Sequence, residues 1–448
     1  MDRREKDKEI HRAPAFRIIT GFSLLLCSFL LCGCAGGVNY RVLQGYLQSD
    51  NCTAATSYVE HKEKGYGPNR RLLFLLDAAS VNMMCDNYER SNTYFHEADG
   101  LAENLWTKSI SREAVSFLVN DYTIPYAGED FERALINLFS AINYAVLGEL
   151  DDALVECRRL DANLSLYNMK YENKNVYRED AFGRYLSGIL YESQGYLDDA
   201  FIAYSKAFEA FGNYARDYGT PVPPILTEDL MRMGEATHRS SEAQSLIKGP
   251  ADVPYLAYSE ARRYGKFVFI HLNGKAPAKE EGRLFVPTEY GPITLAFPRF
   301  RVERPACGDT MLLLQSPDNP TEARPELVED INSIAVKNLD DRKGRVMIKM
   351  IARAAAKQAA INAASKSVDD QNMRELSRFL LNIINAAVEK ADTRSWRTLP
   401  GEILMTRLYV PEGEYRVSGV HCGEEKVLAD AMKIREGETR FVLLKTLY

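Results

Sequence analysis

The chain of 448 residues contains no Cys-x-x-Cys pair, no His-x-x-x-His or His-Glu-x-x-His spacing, and no Gly-x-Ser-x-Gly, phosphate-loop or Gly-x-Gly-x-x-Gly run. A zinc cage, a redox dithiol, a zinc hydrolase, a nucleophile elbow and a nucleotide cradle therefore have no local signature, and neither a metal nor a cofactor is implied. Histidine is scarce, six in all, and tryptophan scarcer, two. Triads assemble from distant residues, so one catalytic reading stays open, a hydrolase using His271 or His421. The competing reading of His271, which follows the apolar Phe267-Val268-Phe269-Ile270, is a satisfied structural histidine. Positive charge is also lacking: 56 Lys and Arg against 62 Asp and Glu leave a formal charge of −6, which argues against nucleic acid as a partner. Disorder is excluded by 46% hydrophobic and 10% aromatic residues, enough for packed cores.

A long apolar span is missing as well. The run from Ile18 to Leu31 has 14 residues, short of the ~20 needed to cross a bilayer as a helix. It follows Arg3, Arg4, Lys6, Lys8, Arg12 and Arg17 and ends Leu31-Cys32-Gly33-Cys34, the order of a secretory signal. These four residues resemble the lipobox of bacterial lipoproteins. That resemblance implies cleavage after residue 33, diacylation of Cys34 and acylation of its new amino group, which together anchor a protein stably. Cys32 departs from the usual small residue. Ala35, in place of an inner-membrane-retaining Asp, implies the periplasmic face of the outer membrane. Loss of residues 1–33 removes six basic and four acidic side chains, so the mature charge is −8.

Of eight cysteines, Cys52, Cys85, Cys157, Cys307 and Cys422 follow the anchor. In an oxidising compartment their distribution suggests Cys52 with Cys85 and Cys307 with Cys422. Cys157 falls on the inner face of a helix, where a thiol behaves as a small hydrophobe.

Three segments repeat a pattern of small and aromatic residues at spacings 0, 3, 7, 12, 16 and 19. The clearest is Gly188, Tyr191, Gly195, Ala200, Tyr204 and Ala207. Ahead of it stands Ala141, Tyr144, Gly148, Ala153, Cys157 and Leu160, and a weaker copy is Ala79, Asn82, Asp86, Ser91, Phe95 and Ala98. Small residues let one helix approach the next, large ones fill the gap, and glycine ends the first helix in a left-handed conformation. The pattern resembles the tetratricopeptide repeat without its leading Trp. Such arrays form a concave groove, and Tyr122, Tyr126, Tyr171 and Tyr177 are candidates to line it. Tyr144, Tyr191 and Tyr204 occupy packing positions and are expected in the core.

Thr220-Pro221-Val222-Pro223-Pro224 breaks the helical pattern. Strands are expected at Lys266 to Leu272, Arg283 to Val286, Ile293 to Ala296, Arg299 to Val302, Met311 to Leu314, Glu402 to Val410, Glu414 to Val420 and Thr439 to Leu444. Between them a helical hairpin is expected, Arg345 to Ala364 and Gln371 to Lys390. A stripe of Lys349, Arg353 and Lys357 on its first helix reads as a solvated face, with contact to anionic lipid as the alternative. Pro411-Glu412-Gly413-Glu414-Tyr415-Arg416-Val417 resembles the last strands of small transthyretin-like sandwiches. Trp396, flanked by Arg394 and Arg397, reads equally as a partner-binding anchor and as packing of the hairpin on the sheet.

The fold expected is α+β: a signal peptide over 1–33, an irregular array of helical repeats over 34–218, a helical linker over 219–265, and a β-rich domain over 266–448 with the helical hairpin at about 342–390. Taken with His271-Leu272-Asn273-Gly274-Lys275-Ala276-Pro277 and Asp392 to Pro400, the chain resembles a family of bacterial tetratricopeptide lipoproteins that has no agreed activity. Some members of that family accompany small lipoproteins resembling activators of peptidoglycan synthases. The resemblance implies an envelope scaffold that binds a protein through the groove. The alternative is a regulator of cell-wall or surface-polymer synthesis that binds a glycan or a synthase.

Overall fold

The computed structural model describes residues 38–112, 122, 124–170, 177–248, 253–287, 293–304, 307–316, 320–365, 371, 373–375 and 390–446. Its first half is built of antiparallel helical hairpins. Helices α1 (Tyr40–Gln48) and α2 (Cys52–His61) lead into α3 (Arg71–Met84) and α4 (Tyr88–Arg112), then α5 (Asp130–Leu147) and α6 (Leu150–Lys170), then α7 (Ala181–Ser193) and α8 (Leu197–Asp217). The three repeat copies are the hairpins α3–α4, α5–α6 and α7–α8. Their turns use one device. Gly148 and Gly195 adopt φ of +81° and +79°, and in the first copy Asp86, standing where the glycine is absent, takes φ +60°. Asp tolerates the left-handed region better than most residues, so the weaker copy closes its turn without glycine. The pairing of small with aromatic is steric: a Cβ on Gly188 would lie 2.3 Å from the Tyr204 ring.

Helices α9 (Pro224–Ala236) and α10 (Ser240–Ile247) continue past the proline break, with α9 packed on α8. Strand β1 (Gly265–Asn273) is buried along its whole length. It is flanked by β10 (Thr439–Thr446), parallel to it, and by antiparallel β7 (Glu402–Val410), which also pairs with β6 (Glu326–Asp330). A second sheet runs β5-β4-β8-β9, from Thr321–Ala323, Thr310–Gln315, Gly413–His421 and Glu424–Ile434. The alternation of β1 assigns its two faces. Phe267 and Phe269 join Leu312, Leu314, Val417 and Leu444 in the core between the sheets. Val268, Ile270 and Leu272 belong to the helical core. The architecture is thus helices, sheet, sheet, with β1 at the centre. In the turn that resembles the transthyretin-like motif, the Tyr415 hydroxyl donates to the Pro411 carbonyl at 2.9 Å.

Several expectations change. The separate strands at Ile293 to Ala296 and Arg299 to Val302 are one strand, β3 (Ile293–Arg301), paired only with β2 (Ala278–Val286) among the described residues. Pro298 does not break it, because a two-stranded ribbon has a free edge where a missing N–H costs nothing. Strands β6 and β9 escaped notice because their faces do not alternate cleanly in polarity. The helix expected from Arg345 begins at Ile331 and runs to Ser365 as α11, with Asp330 accepting the Ser333 amide at its start. Its partner, Gln371 to Lys390, lies outside the described residues apart from 371, 373–375 and 390. The basic stripe is not a solvated face: Arg353 is buried and Lys349 and Lys357 are half-buried. Helix α11 packs on β3 and α5, and Lys349 and Arg353 lie beside Ala296 and Pro298 of β3 and Glu129 at the start of α5. Among the described residues no helix is long and apolar enough to cross a membrane. Cys52 pairs with Cys85 and Cys307 with Cys422. Cys157 is buried and free, its thiol pushed up to about 12 by burial.

A buried charge cluster joins helices to sheet. Arg407 of β7 donates to Glu192 at 3.0 Å, to Asp229 at 2.5 Å and to the Tyr204 hydroxyl at 3.1 Å. Lys266 reaches Glu192 at 3.0 Å, Tyr185 donates to Asp229 at 2.7 Å, and Arg232 closes on Asp229. Burial works against the charged form of Glu192, but Arg407, Lys266 and Arg232 hold its carboxyl well below the usual range. Removing one partner of such a set strands the others without water. Arg407→Ala is therefore expected to cost about 3–5 kcal/mol, read as a lower midpoint in urea unfolding. A loss below about 1 kcal/mol, the range of exposed pairs, would mean the cluster does not hold the layers together.

Candidate functional site

Most of the residues singled out for partner binding converge on one place, the loop from Ala391 to Pro400 and the helices beneath it. Trp396 is 1% exposed. Its indole meets Phe95 of α4 and Phe139 of α5 edge-on, with centroids 5.9 Å from each. The indole N–H donates to Ser80 Oγ at 2.9 Å, and the Trp396 amide donates to Glu132 Oε1 at 2.7 Å. Two residues on, Thr398 donates to Asp77 Oδ1 at 2.8 Å, while Asp77 Oδ2 accepts from Tyr40 and Tyr66, both at 2.7 Å. Burial raises Asp77 to about 6 against the hydrogen bonds from Tyr66, Tyr40 and Thr398.

Arg394 fixes the near end of the loop. It grips Asp392 with Nε and Nη2, both at 2.8 Å, and donates through Nη1 to the carbonyls of Asn69 at 3.1 Å and Ile124 at 2.9 Å. Its guanidinium lies over the rings of Tyr122 and Tyr126, 5.5 and 5.1 Å from their centroids. Such stacking is characteristic of Arg at desolvated contacts. Tyr126 is buried and donates to Glu132 at 2.5 Å, and the Tyr122 hydroxyl lies 2.5 Å from Thr393 Oγ1. Burial disfavours the charged form of Asp392, yet the Arg394 bond and the Lys279 charge hold it below the usual carboxylate range. Beside it, Lys279 of β2 and Arg342 of α11 both close on Glu129.

Tyr122, Tyr126 and the Arg394 end of the loop, expected to face a partner, therefore face one another. The array binds its own second half with the chemistry anticipated for an external ligand. Tyr177 stands apart: it is buried and donates to Asp180 at 2.8 Å, and Asp180 caps α7 through the Gly183 amide at 2.6 Å. Arg397 is exposed over Tyr40, 4.5 Å from the ring centroid. Tyr204 is a core residue, whereas Tyr144 and Tyr191 are half-buried. Tyr171 and Cys34 lie outside the described residues. Sequence reasoning missed Asp77, Ser80 and Glu132. Their one signal was polarity within an apolar helical run, the pattern of a buried hydrogen-bonded site.

The two histidines considered for chemistry also meet, inside the sandwich. His271 and His421 stack edge-on with centroids 4.9 Å apart, and Thr310 Oγ1 lies 3.1 Å from His271 Nδ1 and 2.9 Å from His421 Nδ1. His271 Nε2 lies 2.7 Å from Thr446 Oγ1. Burial pushes His271 down to about 3, with the His421 charge adding to it, and burial lowers His421 as well. Neither ring is open to a substrate-sized molecule, since His271 is 0% and His421 8% exposed.

No protein-family model and no curated protein matches the chain. Among solved structures, two crystal structures of a Podosopora anserina kinesin light chain-like protein with nearly identical TPR-like repeats, one of them a point variant, are similar to it. Identities are 13% and 12%, the TM-score is 0.29 for each, and the matches cover 46% of this chain and 89% of theirs.

Two outcomes follow. Trp396→Ala removes a fully buried indole and is expected to cost about 3–5 kcal/mol, with faster protease cleavage between Ala391 and Pro400. Intact resistance at that loop would show it is held without the indole. For His271 the fold prefers the neutral ring, so its contribution is whole above 6.5 and lost as pH falls toward about 3. His271→Gln should thus lose less stability than the parent across that window in acid titrations monitored by circular dichroism. Parallel curves would contradict the assigned state.

Proposed function

We propose that the protein is a non-enzymatic scaffold of the bacterial cell envelope, anchored through a lipidated Cys34, that binds another envelope protein. The resemblance to bacterial lipoproteins supports the anchoring, and the helical hairpins support a binding role. The observation that carries the reading is that Tyr122, Tyr126 and the helices around Trp396 are occupied in cis by the loop Ala391 to Pro400, while another apolar surface is exposed among the described residues. Hairpin β2–β3 and α11 enclose a groove of about 410 Å³ lined by Leu284, Phe297, Phe300, Val336, Leu339 and Met347. At its margin Leu284, Phe285, Ile348 and Ile351 are 46, 64, 66 and 54% exposed. An apolar surface of this kind marks an interaction site more often than a free face. Strand β2 has a single strand neighbour among the described residues, so an extended apolar segment of a protein can add along its edge and place side chains in the groove.

The test uses a photo-crosslinking amino acid in living cells of the natural host. Placed at Phe285 or at Ile348, it should trap the same protein from both sites, and Leu284→Lys should abolish both products. A control at Ile202, exposed on α8, should give neither. Identical products from all three sites, or none from the groove, would remove this surface from consideration. Cys34→Ala should move the protein from the membrane fraction to the soluble fraction of the envelope. Continued membrane association of that variant would refute the anchor.

A further inference from the structure

We propose that reduction of the Cys307–Cys422 disulfide opens a metal site, formed by both thiolates and the His421 imidazole, for a thiophilic divalent ion such as zinc. Sequence spacing hides this set, since the two cysteines are 115 residues apart. The sheet assembles it. Strands β4 and β8 pair antiparallel with Thr310 opposite His421, which carries the Cys307 segment across the turn that holds Cys422. A ring nitrogen of His421 and both sulfur atoms lie within 4.8 Å of one another. Tetrahedral zinc with bonds of about 2.3 Å to sulfur and 2.0–2.1 Å to nitrogen needs donors roughly 3.7 Å apart, so the nitrogen closes by at most about an ångström once the sulfur atoms separate. Cys422 is exposed and Cys307 half-buried, so both a reductant and an ion can reach them.

A hydrogen-bonded chain independently sets the histidine for this task. Asn273 Oδ1 only accepts, so Thr446 donates to it, at 3.2 Å. Thr446 Oγ1 then receives the Nε2–H of neutral His271 at 2.7 Å, leaving His271 Nδ1 to accept from Thr310 at 3.1 Å. Thr310 Oγ1 in turn receives the Nδ1–H of His421 at 2.9 Å. The chain therefore leaves the His421 lone pair on Nε2, and the proposal assigns the metal to that atom. A ligating histidine with its other nitrogen donating to a fixed acceptor is the usual support of a metal site. The redox step balances with a dithiol as reductant. The dithiol gives up two electrons and two protons and leaves as its own disulfide. The two protein thiols formed release two protons as they bind the divalent ion.

The full chain, reduced with a phosphine and then freed of it, is titrated with Co²⁺ as spectroscopic probe, and zinc affinity is measured by competition with a chromophoric chelator. The expected result is a single Co²⁺ per chain with a thiolate-to-cobalt charge-transfer band, absent from the oxidised chain and from Cys307→Ser/Cys422→Ser, and retained by Cys52→Ser/Cys85→Ser. His421→Ala should weaken zinc binding by more than tenfold and Thr310→Val by about tenfold or more, with melting curves confirming that each variant is folded. The proposal is overturned if the reduced chain shows no such band, if the oxidised chain binds equally, or if the Cys307→Ser/Cys422→Ser or His421→Ala variant binds like the parent. Should the cysteine double variant not fold, the two single variants at His421 and Thr310 decide.

Discussion

The packing of Trp396 edge-on against the stacked pair Phe95 and Phe139 is the contact on which the arrangement of the two halves depends. A helical array exposes one long apolar and polar face, and a β-sandwich exposes the outer side of each sheet. Here the loop Ala391 to Pro400 packs on the first, and the helices cover the outer side of β1, to which Val268, Ile270 and Leu272 turn. Two edge-to-face aromatic contacts, each worth about 0.5–1.5 kcal/mol beyond the area they bury, are joined by hydrogen bonds to Ser80, Glu132 and Asp77. Because Arg394, Trp396 and Thr398 all find partners, the loop sits in the core with most of the desolvation cost of its polar groups offset, the Ser395 hydroxyl being the exception.

The ionic cluster acts at the other end of the same contact. Three cations, Lys266, Arg232 and Arg407, meet two anions, Glu192 and Asp229, in a fully buried space between α7, α9 and the sheet. A set of this kind adds little net stability compared with well-packed apolar residues, but it penalises any register in which a charge is left alone. The aromatic contact supplies attraction and the ionic one supplies position. Together they join the helices to the sandwich.

Much of the local structure was legible. The copies centred on Gly148 and Gly195 carry both the small-to-aromatic spacing and the turn, and the two hairpins follow. The first copy was weaker because Asp86 performs the glycine's task and Asn82 stands where the others have tyrosine. What local periodicity does not encode is pairing across long separations: β1 beside β10, His271 beside His421, Arg394 on the carbonyls of Asn69 and Ile124. The stripe of Lys349, Arg353 and Lys357 misled for the same reason. Basic residues at helical spacing normally face water, and only knowledge of Glu129 and β3 on the other side turns that face inward. Tyr122, Tyr126 and Arg394 were read as partner-binding residues, and Trp396 equally as a partner anchor or as packing of the hairpin on the sheet; in the structure all four contact other parts of the same chain.

Hydrogen–deuterium exchange at the Trp396 amide tests the central point most directly, because that amide donates to Glu132 of α5 and so reports whether the loop stays on the helices. If the loop is permanently seated, this amide exchanges as slowly as those of α5, through global unfolding alone. Exchange at the rate of an open loop, while α5 stays protected, would show that the loop leaves the groove and that the array is free to take another ligand.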